Sequence, residues 1–386
     1  MLYRLSAPLR TGLVTILLGS LSACATLPAS GPTAGEIKRR VNSSGNTIGF
    51  RIADITAPVL AEIEAKADVV DRAAPTLAGL AAEGRNDVVG PGDVLGIGIF
   101  EVGVSLFGTS GGGEVGQGFD SGARNVTFPA IVVDRQGGIS LPYIGRLQVA
   151  GRTPPEIQDM IVRGLRGKSQ SPQAVVAVRS NLSGTVYVGG DVRKPGRFEL
   201  TLQRERLLDA IALGGGAANS SEDTLVRFNR GSQTVEERLG RIRAGAADDL
   251  VLIPGDRIEL IKRPRSFIVL GATTRVSQVA FETGDLSLAE AVARAGGPQD
   301  ERADPSAVFL FRYDPMAQSD ARAQPVIYRL NMMEPASYFL AQKFAIRDKD
   351  VIYIANAAAN RPTKMVSIIN QLFTPFVTAR VLTQKN

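Results

Sequence analysis

Two stretches of the chain share one arrangement of apolar and polar positions. From Val186 the residues run VYVGGDVRKPGRFELTLQRERLLDAIALGGG, and from Phe267 they run FIVLGATTRVSQVAFETGDLSLAEAVARAGG, aligned without a gap. Val188, Gly190, Leu207, Ala210, Ala212, Gly215 and Gly216 fall on Val269, Gly271, Leu288, Ala291, Ala293, Gly296 and Gly297. Each stretch predicts a β-strand, a turn at glycine, a further extended run and a short helix. The apolar face of that helix is Leu207, Ala210 and Ile211 in the first copy, and Leu288, Ala291 and Val292 in the second. Paired glycines close each helix, because glycine enters the left-handed cap conformation cheaply. Strands then return and finish in a turn-plus-strand signature, Pro254-Gly255-Asp256-Arg257-Ile258-Glu259-Leu260 and Asp348-Lys349-Asp350-Val351-Ile352-Tyr353-Ile354. Pro91-Gly92-Asp93-Val94-Leu95-Gly96-Ile97 repeats it earlier, so three modules follow one another. Taken locally, Gly-Asp before a strand is a turn that opens a hairpin, and Pro142-Tyr143-Ile144-Gly145 is another.

A different periodicity governs the C-terminal stretch PTKMVSIINQLFTPFVTAR, which carries no charge between Lys364 and Arg380. At 100° per residue, Thr363, Ser367, Asn370, Gln371, Thr374 and Thr378 fall in roughly a 100° polar stripe. Ile368, Ile369, Leu372, Phe373 and Phe376, with Met365, Val366 and Val377, occupy the opposite surface. Pro362 suits a first helical turn. Pro375 costs ~3 kcal/mol inside a water-exposed helix, whereas membrane helices tolerate it better. A rise of 1.5 Å per residue gives roughly 28 Å, close to the ~30 Å hydrocarbon core. A lone copy would strand its hydroxyls and amides in lipid at ~2 to 7 kcal/mol each. A ring of copies turns the stripe toward a water-filled lumen, with Lys364 and Arg380 at the two headgroup layers. A helix lying flat on the membrane, or one packed on its own globular domain, remains open.

At the other end, Arg4 and Arg10 precede an apolar run from Leu13 to Leu18 and then Leu21-Ser22-Ala23-Cys24. This order of positive start, apolar stretch and small residues is that of an export signal. Gly19, Ser20 and Ser22 interrupt the run, too early for the ~20 apolar residues of a bilayer span. The tetrad resembles the bacterial lipobox at all four positions, which implies lipidation of Cys24 and cleavage before it. Ala25 follows, where Asp would resemble an inner-membrane retention signal, so the outer membrane is the expected destination. Several acyl chains at ~0.8 kcal/mol per buried methylene hold far better than one.

Composition then removes most chemistry. With no histidine, no tryptophan and one cysteine, the chain cannot build a Ser-His-Asp triad, a Cys-His pair, a CxxC motif or a His-based zinc site. No metal or cofactor is expected. Carboxylate-only catalysis needs two convergent acids, and the adjacent pairs Glu236/Glu237, Asp248/Asp249 and Asp300/Glu301 are the candidates. The net charge of +6 does not indicate nucleic acid, since the basic residues are scattered in ones and twos, as at Arg193-Lys194, Arg263 and Arg265. It is compatible with an anionic polymer as passing cargo. Gly111-Gly112-Gly113-Glu114-Val115-Gly116 satisfies GxGxxG, but no strand leads into it and no helix opens after it, so it reads as a flexible loop. At 386 residues, 44% of them apolar, several small cores can form, and no disulfide is available to help them.

The two copies resemble SLBB (soluble-ligand-binding β-grasp) modules, and residues 90–180 resemble the export domain of Wza-type outer-membrane polysaccharide export lipoproteins. The residues that carry this are Pro91-Gly92-Asp93-Val94-Leu95, Val133-Asp134-Arg135-Gln136-Gly137-Gly138-Ile139, Pro142-Tyr143-Ile144-Gly145, Gly151-Arg152-Thr153 and Glu156-Ile157. A glycine-rich insertion from Gly103 to Gly122 is longer than the family pattern. The resemblance implies an α+β chain of tandem small β-rich modules: a signal peptide at 1–23, an anchor or linker segment at 24–86, an export domain at 87–180, β-grasp modules at 184–264 and 265–355, and a C-terminal amphipathic membrane helix at 361–382. Residues 25–86 have helical character around Val59 to Val70, and the resemblance implies that they contribute strands back to the later modules. The function implied is non-enzymatic: a homo-oligomeric ring in the outer membrane passes capsular or exopolysaccharide through an α-helical pore. The stripe from Thr363 to Thr378 would line that pore, and an inner-membrane co-polymerase with its tyrosine kinase would be the partner. A lipid-anchored periplasmic binding or adaptor protein without a pore is the alternative.

Overall fold

The computed structural model describes residues 31–43, 45–101, 106–107, 124–313 and 325–358. Along the chain, α1 (Ala34–Arg40), β1 (Arg51–Asp54) and α2 (Ala57–Ala73) precede β2 (Val94–Glu101), β3 (Arg124–Val132), β4 (Gly138–Leu141), β5 (Gly145–Gln148), α3 (Pro154–Leu165) and β6 (Gln173–Ser180). The first repeat holds β7 (Thr185–Gly190), β8 (Gly196–Glu199), α4 (Leu207–Leu213), β9 (Thr224–Arg230), β10 (Gln233–Arg238) and β11 (Arg257–Lys262). The second holds β12 (Ser266–Gly271), β13 (Ser277–Ala280), α5 (Leu288–Arg294), β14 (Ala303–Tyr313), β15 (Pro325–Leu330), α6 (Pro335–Lys343) and β16 (Val351–Asn356). Two compact units result, Pro75–Arg263 and a second in which the segment up to Ala74 joins the chain from Pro264 onward.

In the unit Pro75–Arg263, β2 lies between β3 and β6 in an antiparallel sheet. Its period-two alternation buries Leu95, Ile97 and Ile99 on one face and places Gly96 and Gly98 on the other. Helix α3 begins with a capping box, Thr153 and Glu156 bonding each other's backbone N–H, with proline in the first turn. Ile157, Ile161 and Leu165, spaced by four, are fully buried in the same core; each contributes about 1.5–3 kcal/mol by burial. Pro142-Tyr143-Ile144-Gly145 makes the tight β4–β5 hairpin expected of it, with Leu141 opposite Gly145 and left-handed backbone at Tyr143 and Gly145.

The first repeat forms the sheet β10-β9-β11-β7-β8 and the second β1-β15-β14-β16-β12-β13. In both, the last strand of the module runs parallel beside its first, β11 with β7 and β16 with β12. The turn-plus-strand signature, Gly255-Asp256 or Lys349-Asp350, therefore introduces a central strand, β11 or β16, and does not open a hairpin as the local Gly-Asp sequence suggests. Gly190 and Gly271 are obligatory glycines at matching points. Both have positive φ, and a Cβ would stand 2.1 Å from the carbonyl oxygen of Leu260 or of Ile354. The helices α4 and α5 end as predicted: Gly215 and Gly216 donate to Ala212 and Ile211, and Gly296 and Gly297 donate to Ala293 and Val292, a Schellman closure.

The three signature aspartates, Asp93, Asp256 and Asp350, are almost fully buried. Each accepts from the backbone N–H three residues earlier, Gly90 at 2.8 Å, Ile253 at 2.9 Å and Arg347 at 2.8 Å. Asp256 and Asp350 each also take a two-pronged bond from a buried arginine, Arg230 at 2.9 and 2.6 Å and Arg312 at 3.0 and 2.6 Å. Asp93 instead holds Ser183 through its backbone N–H at 2.7 Å and its hydroxyl at 2.8 Å, so one turn fixes the junction with the first repeat.

Strand β1 adds to the second repeat, pairing in parallel with β15 from Arg51 opposite Val326 to Asp54 opposite Arg329. Helix α2 then starts against the module core through Ile55 and Leu60. Helix α1 and Phe50 cover the other face of the same sheet, where Ile37, Phe309, Ile327 and Tyr353 form a separate apolar cluster. The molecule is thus mixed α and β, with several small sheets. Among the described residues no helix is long and apolar enough to cross a membrane.

Candidate functional site

The residues that the sequence singles out for membrane function lie outside the described residues. They are Cys24, the stripe Thr363, Ser367, Asn370, Gln371, Thr374 and Thr378, and the apolar face Ile368, Ile369, Leu372, Phe373 and Phe376. What is described is the chain next to them in sequence, at residues 31–33 and 353–356. Thr33 bridges Asn356. The Tyr353 hydroxyl donates to the Pro32 carbonyl at 2.7 Å, and the Asn356 amide donates to the Gly31 carbonyl at 3.3 Å. Burial raises the Tyr353 pKa above the usual phenol value. The first described residues after Cys24 therefore meet the C-terminal end of β16, among the last described residues before the C-terminal stretch.

None of the paired carboxylates forms a convergent acid couple. Glu236 faces Arg227 at 2.8 Å and Arg263 at 3.4 Å on one side of β10, while Glu237, on the other side, accepts the Arg238 N–H. Buried Asp249 accepts the N–H groups of Leu208 and Gly245 at 3.0 and 2.9 Å, capping α4 from a distant loop. Asp248 accepts the Arg243 N–H at 3.3 Å. Asp300 and Glu301 are exposed in a turn. Among the described residues no cluster of His, Cys, Asp and Glu could hold a metal ion. The GxGxxG stretch at 111–116 is outside the described residues.

Sequence reasoning missed a grouping on the outer face of the first-repeat sheet. Strand register lines up Arg197 on β8, Tyr187 on β7, Arg257 on β11, Asn229 on β9 and Thr234 on β10. The guanidinium carbons of Arg197 and Arg257 stand 4.8 and 5.4 Å from the Tyr187 ring centroid, within cation–π range. Arg197 donates to the Tyr187 hydroxyl. That hydrogen bond, then the charge of Arg197, lowers the Tyr187 pKa below the usual phenol value. The signal was present in the alternation, since Tyr187, Arg257 and Glu259 occupy the polar positions of otherwise apolar strands.

Comparison with known proteins assigns three stretches of the chain. Residues 81–179 match the family described as polysaccharide biosynthesis/export protein, and residues 185–238 and 265–354 each match the SLBB domain. Across 95% of its length the chain is 36% identical to the capsule polysaccharide export protein BexD of Haemophilus influenzae, spanning 96% of that protein. It is 32% identical over 92% of its length to the capsule polysaccharide export outer membrane protein CtrA of Neisseria meningitidis, spanning 93% of it. It is also 30% identical over 75% of its length to the EPS I polysaccharide export outer membrane protein EpsA of Ralstonia solanacearum, spanning 77% of it.

Proposed function

This chain belongs to the family of capsule and exopolysaccharide export proteins, and from that premise we propose that it conducts a polysaccharide across the outer membrane as a ring of identical subunits. Cys24 carries the lipid anchor. The C-terminal helices stand side by side with Thr363, Ser367, Asn370, Gln371, Thr374 and Thr378 toward water and Ile368, Ile369, Leu372, Phe373 and Phe376 toward lipid. The protein performs no chemistry of its own. Hydroxyls and amides along the channel offer the polymer many weak hydrogen bonds, which favours sliding over retention. Driving force comes from an inner-membrane co-polymerase and its kinase docking from the periplasm.

The observation that supports this reading best is the meeting of residues 31–33 with Tyr353 and Asn356. Only a few residues separate that meeting point from Cys24 on one side and from Pro362 on the other. At no more than ~3.6 Å per residue, neither segment reaches far, so an anchor and a spanning helix starting from there enter the same leaflet.

Labelling tests the reading. Single cysteines at Ser367, Asn370 and Thr374 should react with a membrane-impermeant thiol reagent in intact outer membranes, and cysteines at Ile369, Leu372 and Phe376 should not. Equal labelling of both faces, or none on either, would remove the pore and leave a lipid-anchored adaptor.

A further inference from the structure

The row of side chains on the first-repeat sheet is not required by the β-grasp fold, because the second repeat builds the same sheet without it. There the corresponding positions are Gln278, Ile268, Val351, Phe311 and Ile327. Of these, Ile327 lies in the apolar cluster that Ile37 of α1 joins, with Phe311 and Phe50 packed against it, while Ile268 and Val351 are half-buried and Gln278 is exposed. In the first repeat the matching positions are polar, and Tyr187, Arg197 and Arg257 are exposed. One repeat has part of its outer face covered by the N-terminal segment; the other presents the matching polar positions to solvent.

Charge on the open face is unevenly balanced. Arg227, one step along β9, sits between Glu236 at 2.8 Å and Glu259 at 2.9 Å and is neutralised. Glu199, the remaining acid beside the row, accepts from the Ser180 hydroxyl at 3.2 Å. Arg197 and Arg257 have no carboxylate partner among the described residues. Each is held against the Tyr187 ring, which orders the guanidinium while leaving N–H edges for a ligand, so little rotamer entropy remains to be lost on binding. They project from strands on either side of β7, roughly 10 Å apart at the backbone, two strand spacings. Further along the row, Thr234 donates to Asn229 Oδ1 at 2.6 Å, so the Asn229 amide hydrogens have no partner among the described residues.

We propose that this row is a binding subsite for an acidic polysaccharide. Arg197 and Arg257 each take a carboxylate or phosphate group of the polymer in a forked hydrogen bond, and the Asn229 amide donates to a sugar oxygen. The ligand class rests on the export reading; the site itself rests on the unpaired guanidiniums and on the contrast between the repeats. Two separated point contacts on an open face give a weak, salt-sensitive hold, suited to a chain that must move on.

The test is calorimetric titration of the detergent-solubilised full-length protein with polygalacturonate oligomers and, separately, with uncharged dextran oligomers. Polygalacturonate should bind with an affinity that falls as salt is raised, dextran should not bind, and R197Q/R257Q should weaken polygalacturonate at least tenfold. R193Q/K194Q removes the same charge elsewhere on the repeat and should leave the affinity within about twofold. Equal loss in both variants, unchanged binding by R197Q/R257Q, or equal binding of dextran would overturn the proposal. So would a change in particle size of R197Q/R257Q on gel filtration, which would assign the row to contact with an acidic surface of a neighbouring copy. Any of these failures leaves the labelling pattern along Ser367–Thr374 as it was, so the subsite and the pore are refuted independently.

Discussion

Removing the charge from Asp350 should loosen the second repeat and leave the first intact. The Asp350 and Arg312 side chains are 2% and 4% exposed, so water replaces nothing if the pair is broken. Asp350 uses both oxygens, accepting from Arg312 at 3.0 and 2.6 Å and from the Arg347 N–H at 2.8 Å. Asp350→Asn keeps the volume but turns one oxygen into a donor facing donors, and it leaves the guanidinium buried without a counter-charge. Loss of one partner of such a pair costs about 3–5 kcal/mol. At 1.4 kcal/mol per factor of ten, that accelerates exchange of the most protected amides by roughly two to three and a half orders of magnitude. Hydrogen exchange read by mass spectrometry separates the repeats, because peptides from β14 and β16 report one core and peptides from β9 and β11 the other. Asp256→Asn should give the mirror result through Arg230, 9% exposed. Replacing both partners by apolar residues, as in R312M/D350L, should cost far less than the two single changes summed. Protection within tenfold of wild type in D350N, or equal loss in both repeats, would refute the reasoning.

Gly271→Ala and Gly190→Ala, each placing a methyl 2.1 Å from a backbone carbonyl at positive φ, should each destabilise by more than about 2 kcal/mol in thermal unfolding, whereas Gly189→Ala, with open space around it, should not. Ser287→Ala removes the hydroxyl that accepts the Glu290 N–H at 3.2 Å and should cost about 1 kcal/mol in the same assay. The capping carboxylates Glu156 and Glu290 have pKa values lowered chiefly by the N–H groups of Thr153 and Ser287. Their contribution is therefore present above the unfolded carboxylate pKa and disappears as pH falls through the lower folded value. The acid limb of a stability–pH profile should be shallower in E156Q/E290Q than in wild type. Ile37→Ala, on the buried face of α1, should cost about 2–5 kcal/mol, checked by exchange of β15 and β16 peptides.

The repeats were legible because their glycines and apolar helix positions are dictated locally: Gly215 and Gly296 must be left-handed whatever surrounds them. Long-range partners were not. Arg230 and Arg312 look like any surface cation, and only the sheet brings them onto Asp256 and Asp350, which read as turn residues alone. Glu236 and Asp249, candidates for catalysis in sequence, are claimed by an arginine and by a helix terminus. Nothing in the sequence groups Tyr187, Arg197 and Arg257, because register across three strands, not adjacency, assembles them. The helix near Val59–Val70 showed in its pattern, but the short run Arg51–Asp54 carries nothing that names β15 as its neighbour.

Strand β1 imposes an order on folding. Asp54 meets Arg329 across 275 residues, and closing so long a flexible loop costs roughly 5 kcal/mol of chain entropy. Folding of Pro75–Arg263 shortens that loop by turning most of it into a compact body. The N-terminal segment therefore waits, after synthesis and secretion, until β14, β15 and β16 provide its edge. The strand made first is therefore the last to be latched.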